Sequence, residues 1–276
     1  MRTLPILCFL LVASNMLAQQ LPKIKGSGVV VLEEKTIEEP IDVVTVDGDI
    51  VITLSQGKAT SYTIETDDNL VAIIDFEIED NTLKITTNHR ITKKKKLDIH
   101  VKMNTIKEIH LDNGARMESD ELLKGDNLRL TAGSASKFEF DLEYKDTIDI
   151  EMYSNADGLL KAKTAYSNIA LDSRTDLDAY FVTDSLTIQQ SDTSKLKLDG
   201  SIENATIKIT DNAKLEAKEV GLTQAAISLS DTSDAVINTK EQITVYLEDS
   251  ATIALYGDPE ITVDGLKNKA KILKKE

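Results

Sequence analysis

The sequence has no tryptophan, a single cysteine and only four prolines among 276 residues. Each shortage excludes something. The cysteine, Cys8, lies in the apolar run Leu4 to Val12 (LPILCFLLV), which follows the positively charged Arg2. That arrangement reads as a secretory signal peptide over residues 1–18, with Ala18 the last residue before cleavage. The run is too short for a bilayer-spanning helix of about 20 residues, and no later stretch is apolar enough to span. Cys8 is expected to leave with the signal. The mature chain then has no disulfide framework, thiol nucleophile or thiolate metal site, and packing and backbone hydrogen bonds must hold its fold.

The four prolines are Pro5, Pro22, Pro40 and Pro259. None lies between Ile41 and Asp258, as expected of continuously paired sheet. Positive charge is also short. The chain carries 32 basic and 47 acidic residues, a net of −15, and loss of Arg2 with the signal takes this to −16. Such a field repels nucleic acid and anionic lipid. It admits cations, basic partners or neutral glycans.

Helix signals are nearly absent after residue 18, whereas strand signals are everywhere. Short alternating runs of Val, Ile, Leu and Thr are separated by Asp, Asn, Ser and Gly. Residues 19–103 read as a meander, with strands near Val29–Leu32, Val43–Val46, Ile50–Leu54, Tyr62–Thr66, Phe76–Ile78, Leu83–Thr87 and Leu97–Val101. Asp47-Gly48-Asp49 and Asp80-Asn81 are turn-type links. Lys93 to Lys96 reads as a solvated hairpin tip.

An internal repeat of about 19 residues occupies 104–264. Its reference column is Asn113, Ser134, Ala156, Thr175, Asp192, Asp211, Asp231 and Asp249. Four residues before these come Ile109, Leu130, Met152, Leu171, Ile188, Ile207, Ile227 and Val245. Four residues after come Met117, Phe138, Leu160, Ala179, Leu196, Leu215, Ala235 and Ile253. All are apolar, so two alternating strands flank a polar turn in every repeat. The expected fold is all-β: a right-handed parallel β-helix of about eight coils. The N-terminal meander packs onto it or begins it. At about 4.8 Å per coil the eight span roughly 35–40 Å. Residues 265–276 form a basic C-terminal tail that covers the last coil, meets an acidic partner or frays.

The stretches VTVDGDIVITLSQG (44–57), YTIETDDNL (62–70), EDNTLKI (79–85) and LYGDPEI (255–261) resemble the putative auto-transporter adhesin head GIN-domain family. The resemblance covers about residues 28–262. It implies a β-helical exported protein of a kind common in Bacteroidota, with a role in adhesion and no attributed catalytic residue.

Two constellations are candidates for chemistry. Asp192, Asp211, Asp231 and Asp249 are vertical neighbours in a β-helix. Stacked carboxylates repel unless they are splayed into water, used as turn caps or bridged by a cation such as Ca²⁺. Their spacing also matches a glycan-cleaving carboxylate pair, although no arginine follows Arg174. Tyr144, Tyr153, Tyr166 and Tyr180 cluster in the middle coils. Exposed tyrosine rings pack against sugars, and cross-strand tyrosines stiffen a sheet. Tyr144 and Tyr166 both fall ten residues past the reference column, which predicts that they stack. His89, His100 and His110 lack metal-ligand spacing and read as surface residues.

The reading that follows is a non-catalytic, adhesin-like exported protein without a cofactor. It binds a glycan or protein partner at the cell envelope: periplasm, outer-membrane surface or extracellular. The alternatives are a carbohydrate-active enzyme (hydrolase or lyase) using Asp residues of adjacent coils, and a structural envelope protein that assembles with copies of itself.

Overall fold

The computed structural model describes residues 21–276; the expected signal peptide lies outside the described residues. The described chain is a parallel β-solenoid of about nine turns, close to the eight expected. Its one helix, α1 (Asp68–Val71), has four residues, and among the described residues no helix is long and apolar enough to cross a membrane.

The regular part consists of seven long strands: β11 (Arg116–Ala132), β12 (Lys137–Met152), β13 (Asp157–Leu171), β14 (Asp176–Gln190), β15 (Lys195–Ile209), β16 (Lys214–Leu229) and β17 (Asp234–Leu247). Each pairs in parallel with the next. Alternation sends every second residue inward. In β14, Leu177, Ala179, Phe181 and Thr183 are buried, then the phase shifts across Asp184 and Ser185, and Leu186, Ile188 and Gln190 are buried. Two successive outward residues turn a corner. Each strand therefore contributes its first half to one wall of the solenoid and its second half to the other. The interior between the walls is a single apolar core, which no coil could bury alone.

Four-residue turns close the coils. Their second residues, among them Ser134, Ser154, Ser173, Asp192, Asp211, Asp231 and Asp249, have φ between 47° and 62°. Asp, Asn and Ser tolerate this left-handed conformation because their short polar side chains bond locally. The turns stack: N–H of Thr193, Asn212, Thr232 and Ser250 donate to C=O of Ser173, Asp192, Asp211 and Asp231 on the preceding coil.

Two members of the expected reference column are corrected. The residues stacked between Ser134 and Asp192 are Ser154 and Ser173, not Ala156 and Thr175. Ile150 and Ile169, not Met152 and Leu171, align with Leu130 and Ile188. A slip of two residues keeps every side chain on its face of a strand, so all the misaligned residues remained apolar. After the turn, the true partner of Phe138 is Gly158. A β-carbon at Gly158 would lie 2.3 Å from Cζ of Phe138, so the glycine makes room for the ring.

The N-terminal strands build both the first coil and an end cap. β3 (Val43–Asp47) and β4 (Val51–Gln56) form a coil against β10 (Glu108–Asp112) and the start of β11. On its other side lie β7 (Thr82–Thr87) and β9 (Leu97–Met103), also parallel. The stacking order thus departs from chain order. Antiparallel strands close this end: β5 (Thr60–Asp67) on β9, β2 (Val30–Ile37) on β5, and β6 (Ile74–Glu79) on β7. Tyr62 of β5 stacks on Phe76 of β6 at 3.9 Å between centroids, joining the two walls over the core. β1 (Lys23–Lys25) and β8 (Arg90–Lys93) make a separate two-stranded pair. At the opposite end, β18 (Thr252–Tyr256), β19 (Glu260–Leu266) and β20 (Lys271–Lys274) form the last rungs. Residues 265–276 are therefore not a loose tail, since β20 pairs with β18.

Candidate functional site

A groove of about 810 Å³ lies across the corner of the middle coils. Register creates it. β13, β14 and β15 pair without any shift. β12 carries one extra residue against β13 between Glu143 and Thr147, and β16 carries one against β15 after Lys197. Such bulges bend a strand and push its corner outward. The groove runs from the corner of β11 across the bulge of β12 onto the unshifted corners of β13, β14 and β15.

The recessed corner is held by hydroxyls. Thr183 Oγ1 donates to Ala165 O at 3.0 Å or Ser185 O at 3.2 Å, and Thr164 Oγ1 donates to Asp146 O at 3.1 Å. Both threonines are buried, and their donors satisfy carbonyls that the bend takes out of the ladder. On the next coil Gly200, at φ 111°, makes the bend instead. Ala165 and Val182 leave apolar surface in the groove, Val182 being 37% exposed. Around them stand Lys124, Lys163, Glu143 and Glu203. Lys124 Nζ is 2.8 Å from Glu143 Oε2, and Lys163 Nζ is 3.6 Å from Oε1. The hydrogen bond from Lys124, with help from Lys163, holds the Glu143 carboxyl below its ordinary value. The lining is thus a short apolar strip flanked by matched charges, suited to binding a partly polar ligand.

The four tyrosines do not make one surface. Tyr144 is 1% exposed, with its ring against Gly125 and its hydroxyl donating to Ile106 O at 3.1 Å. Burial drives its pKa far above the ordinary value. It is a core residue beneath the groove, which corrects the expectation of an exposed face. Nor does it stack on Tyr166: Tyr144 is opposite Gly125, whereas Tyr166 is opposite Thr147 and Ser185. The extra residue in β12 breaks the expected alignment. Tyr166 and Tyr180 are 59% and 46% exposed but stand on different walls. Tyr153 sits in a turn with its ring over Gly133.

Asp192, Asp211, Asp231 and Asp249 do stack at one edge, on successive turns. Asp211 Oδ2 accepts N–H of Asp192 at 3.3 Å and the hydroxyl of Thr210 at 2.8 Å. Asp231 Oδ2 repeats this with Asp211 N–H at 3.3 Å and Ser230 at 2.9 Å. Asn268 Nδ2 donates to Asp249 Oδ1 at 3.0 Å. The oxygens face donors of the chain itself, and among the described residues no three His, Cys, Asp or Glu side chains converge as metal ligands. The calcium expectation therefore meets no ligand set.

Sequence reasoning missed Asp172. It sits beside Asp192 on the preceding coil and accepts a hydrogen bond from Ser191 Oγ at 2.8 Å. That bond holds the Asp172 carboxyl below its ordinary value, and proximity to Asp172 raises that of Asp192. A cavity of about 540 Å³ lies alongside, lined in part by Tyr153, Asp172, Gln189 and Lys208. The correct turn register, with Ser173 in the column, places Asp172 there. The groove residues had no comparable signal, because bulge positions are not written in residue type.

A sequence model of the family described as "Putative auto-transporter adhesin, head GIN domain" matches residues 41–184 and 181–259. No curated protein matches the chain. Among solved structures, the chain is similar to a putative adhesin from Parabacteroides merdae ATCC 43184 (TM-score 0.70, 17% identity). It is also similar to a putative adhesin (0.67, 14%) and a putative lipid binding protein (0.63, 16%), both from Parabacteroides distasonis ATCC 8503. Each alignment covers 92% of this chain and 100% of the other. At these identities the likeness is one of fold.

Proposed function

The chain belongs to the family described as "putative auto-transporter adhesin, head GIN domain", and from that membership we propose an exported, non-catalytic binding module of the cell envelope. Its partner is a glycan or a protein segment held in the corner groove. One observation carries this reading: the bulged corner of β12 borders a recess that holds Ala165 and Val182, with the Lys124–Glu143–Lys163 cluster at its rim. A sugar ring or extended peptide offers both the apolar face and the hydroxyls or amides to match it. The net charge of −15 favours neutral or basic partners.

The test is a broad glycan array, and a parallel peptide array, probed with the wild type and with Ala165→Arg/Val182→Arg. The bulky guanidinium groups fill the groove from one half-buried and one exposed position. Binding should fall at least tenfold while the thermal midpoint is unchanged. Full binding by the filled variant would move the site elsewhere.

A second reading, a polysaccharide hydrolase or lyase, has one observation of its own. Asp172 and Asp192 have their pKa values pushed apart beside a cavity, the pattern of an acid–base pair. New reducing ends from polysaccharide that vanish in Asp172→Asn would favour it over the binding module.

A further inference from the structure

The two ends of the solenoid differ in how they are closed. At the N-terminal end the Tyr62–Phe76 stack spans the core. At the C-terminal end no element among the described residues covers the core. Ile261, Val263 and Leu266 of β19 lie opposite the buried Ile243, Val245 and Leu247, so they continue the inward columns. Yet they are 38%, 49% and 52% exposed. On the other wall Ile272 continues the column of Ile253, and Lys274 that of Leu255. Lys274 Nζ reaches back only to Gly257 O and, at 4.0 Å, to Asp258.

The outer edges are also unpaired. Among the described residues β20 pairs only with β18, and β2 only with β5. These two edges end the same wall. β2 opposes β5, β5 opposes β9, and β9 is parallel to β4, so β2 runs in the same direction as β20. Their charges are opposite in sign. β2 and the loop after it carry Glu33, Glu34, Glu38 and Glu39 against Lys35. β20 and its flanks carry Lys267, Lys269, Lys271, Lys274 and Lys275. Glu33 lies opposite the buried Ile64, so it sits over the core face at its end, as Lys274 does at the other. Leu32, beside it, is 67% exposed.

A lysine-bearing edge repels its own copy, which is how natural sheets avoid edge-to-edge pairing. It does not repel an acidic one. We propose that the open C-terminal coil of one molecule docks on the N-terminal cap of a second copy, β20 beside β2 in parallel, so that the protein assembles head to tail. The last rung of one copy then gains the cap it lacks, and the lysine and glutamate that each overhang a core face meet. Like ends repel, so the contact is heterologous and, unless it closes into a ring, open-ended.

The experiment uses four forms of the purified protein: wild type, Lys271→Glu/Lys274→Glu, Glu33→Lys/Glu34→Lys, and a chain carrying all four changes. Mass is measured against concentration by sedimentation velocity. The wild type should grow past the dimer as concentration rises. Either charge-reversed form alone should stay monomeric. A mixture of the two should grow again as an alternating chain, because one form then has two acidic ends and the other two basic ends, and the fourfold variant should recover open growth. Recovery distinguishes docking from damage, because a misfolded end is not repaired by a second reversal. A monomeric wild type at every concentration, growth that stops at a dimer, or a fourfold variant that stays monomeric would each overturn the proposal.

Discussion

Gly125 and Tyr144 occupy facing positions on adjacent coils. A methyl group at Gly125 would lie 2.4 Å from Cε1 of the Tyr144 ring. Gly125→Ala should therefore cost about 1–3 kcal/mol by overpacking. Tyr144→Ala removes a ring that is 1% exposed and leaves Ile106 O without its donor. Its cost should be about 3–5 kcal/mol for the cavity, plus roughly 1 kcal/mol for the hydrogen bond. The informative form is the double variant. Gly125 does not have positive φ, so with the ring gone the alanine meets no strain. It then stabilises by about 0.4–1 kcal/mol through the unfolded chain. The same substitution reverses sign between backgrounds, a coupling of about 1.5–4 kcal/mol. Equilibrium unfolding in guanidinium chloride, followed by circular dichroism, measures it, with an unchanged m-value as the condition for comparison. Equal effects of Gly125→Ala in both backgrounds would refute the packing argument and free Tyr144 to be a surface residue after all.

Three further outcomes are expected. Asp192→Asn should raise the thermal midpoint at pH 7. The raised pKa caused by Asp172 means that the fold binds this proton more readily than the unfolded chain, so the wild-type pair subtracts stability as pH rises. The gain should fade as pH falls toward the ordinary aspartate value, and asparagine keeps the left-handed turn. Gly200→Ala places a β-carbon 2.0 Å from Phe181 O, a backbone atom, at φ 111°. It should cost at least about 2 kcal/mol, read as a drop in denaturant midpoint. Asp67 is fully buried and accepts N–H from Gly28 at 2.8 Å and Lys95 at 2.7 Å. Asp67→Ala should loosen the cap by about 3 kcal/mol, seen as faster amide exchange at these two residues while β13–β15 stay protected.

Most of the scaffold was legible because burial in a strand repeats every second residue, and the columns from Ile188 onward aligned as read. The same period hid the error at Ala156 and Thr175, since a shift of two changes no face. The seven N-terminal strands were readable, but not their order along the axis, which depends on pairings between residues far apart in the chain. β1 and β8, at three and four residues, are too short to show a period. The lysine run reads as a solvated tip, and Lys93, Lys94 and Lys95 are exposed, whereas Lys96 bonds Glu65 at 2.5 Å and Asp98 at 3.1 Å. Tyr144 misled because tyrosine is equally at home inside and outside. What placed it inside was a glycine on the neighbouring coil. The groove is a difference between coil lengths, and it shows only when every coil is in register.

The coil at residues 43–56 has later segments on both of its sides. A contact across the regular turns spans 19 residues, as from Asp192 to Asp211, whereas Asp47 reaches Asn113 across 66. Closing the longer loop costs only about 1 kcal/mol more, but it imposes a sequence in time. A chain that emerges N-terminus first cannot lay down its coils in order of appearance. The first to appear must wait until residues 82–103 cover one of its faces, and the other stays wet until residue 118 has followed. Only then does a template exist on which each later coil adds locally. A chaperone that holds the emerging chain would find its longest-lived client surface in that interval.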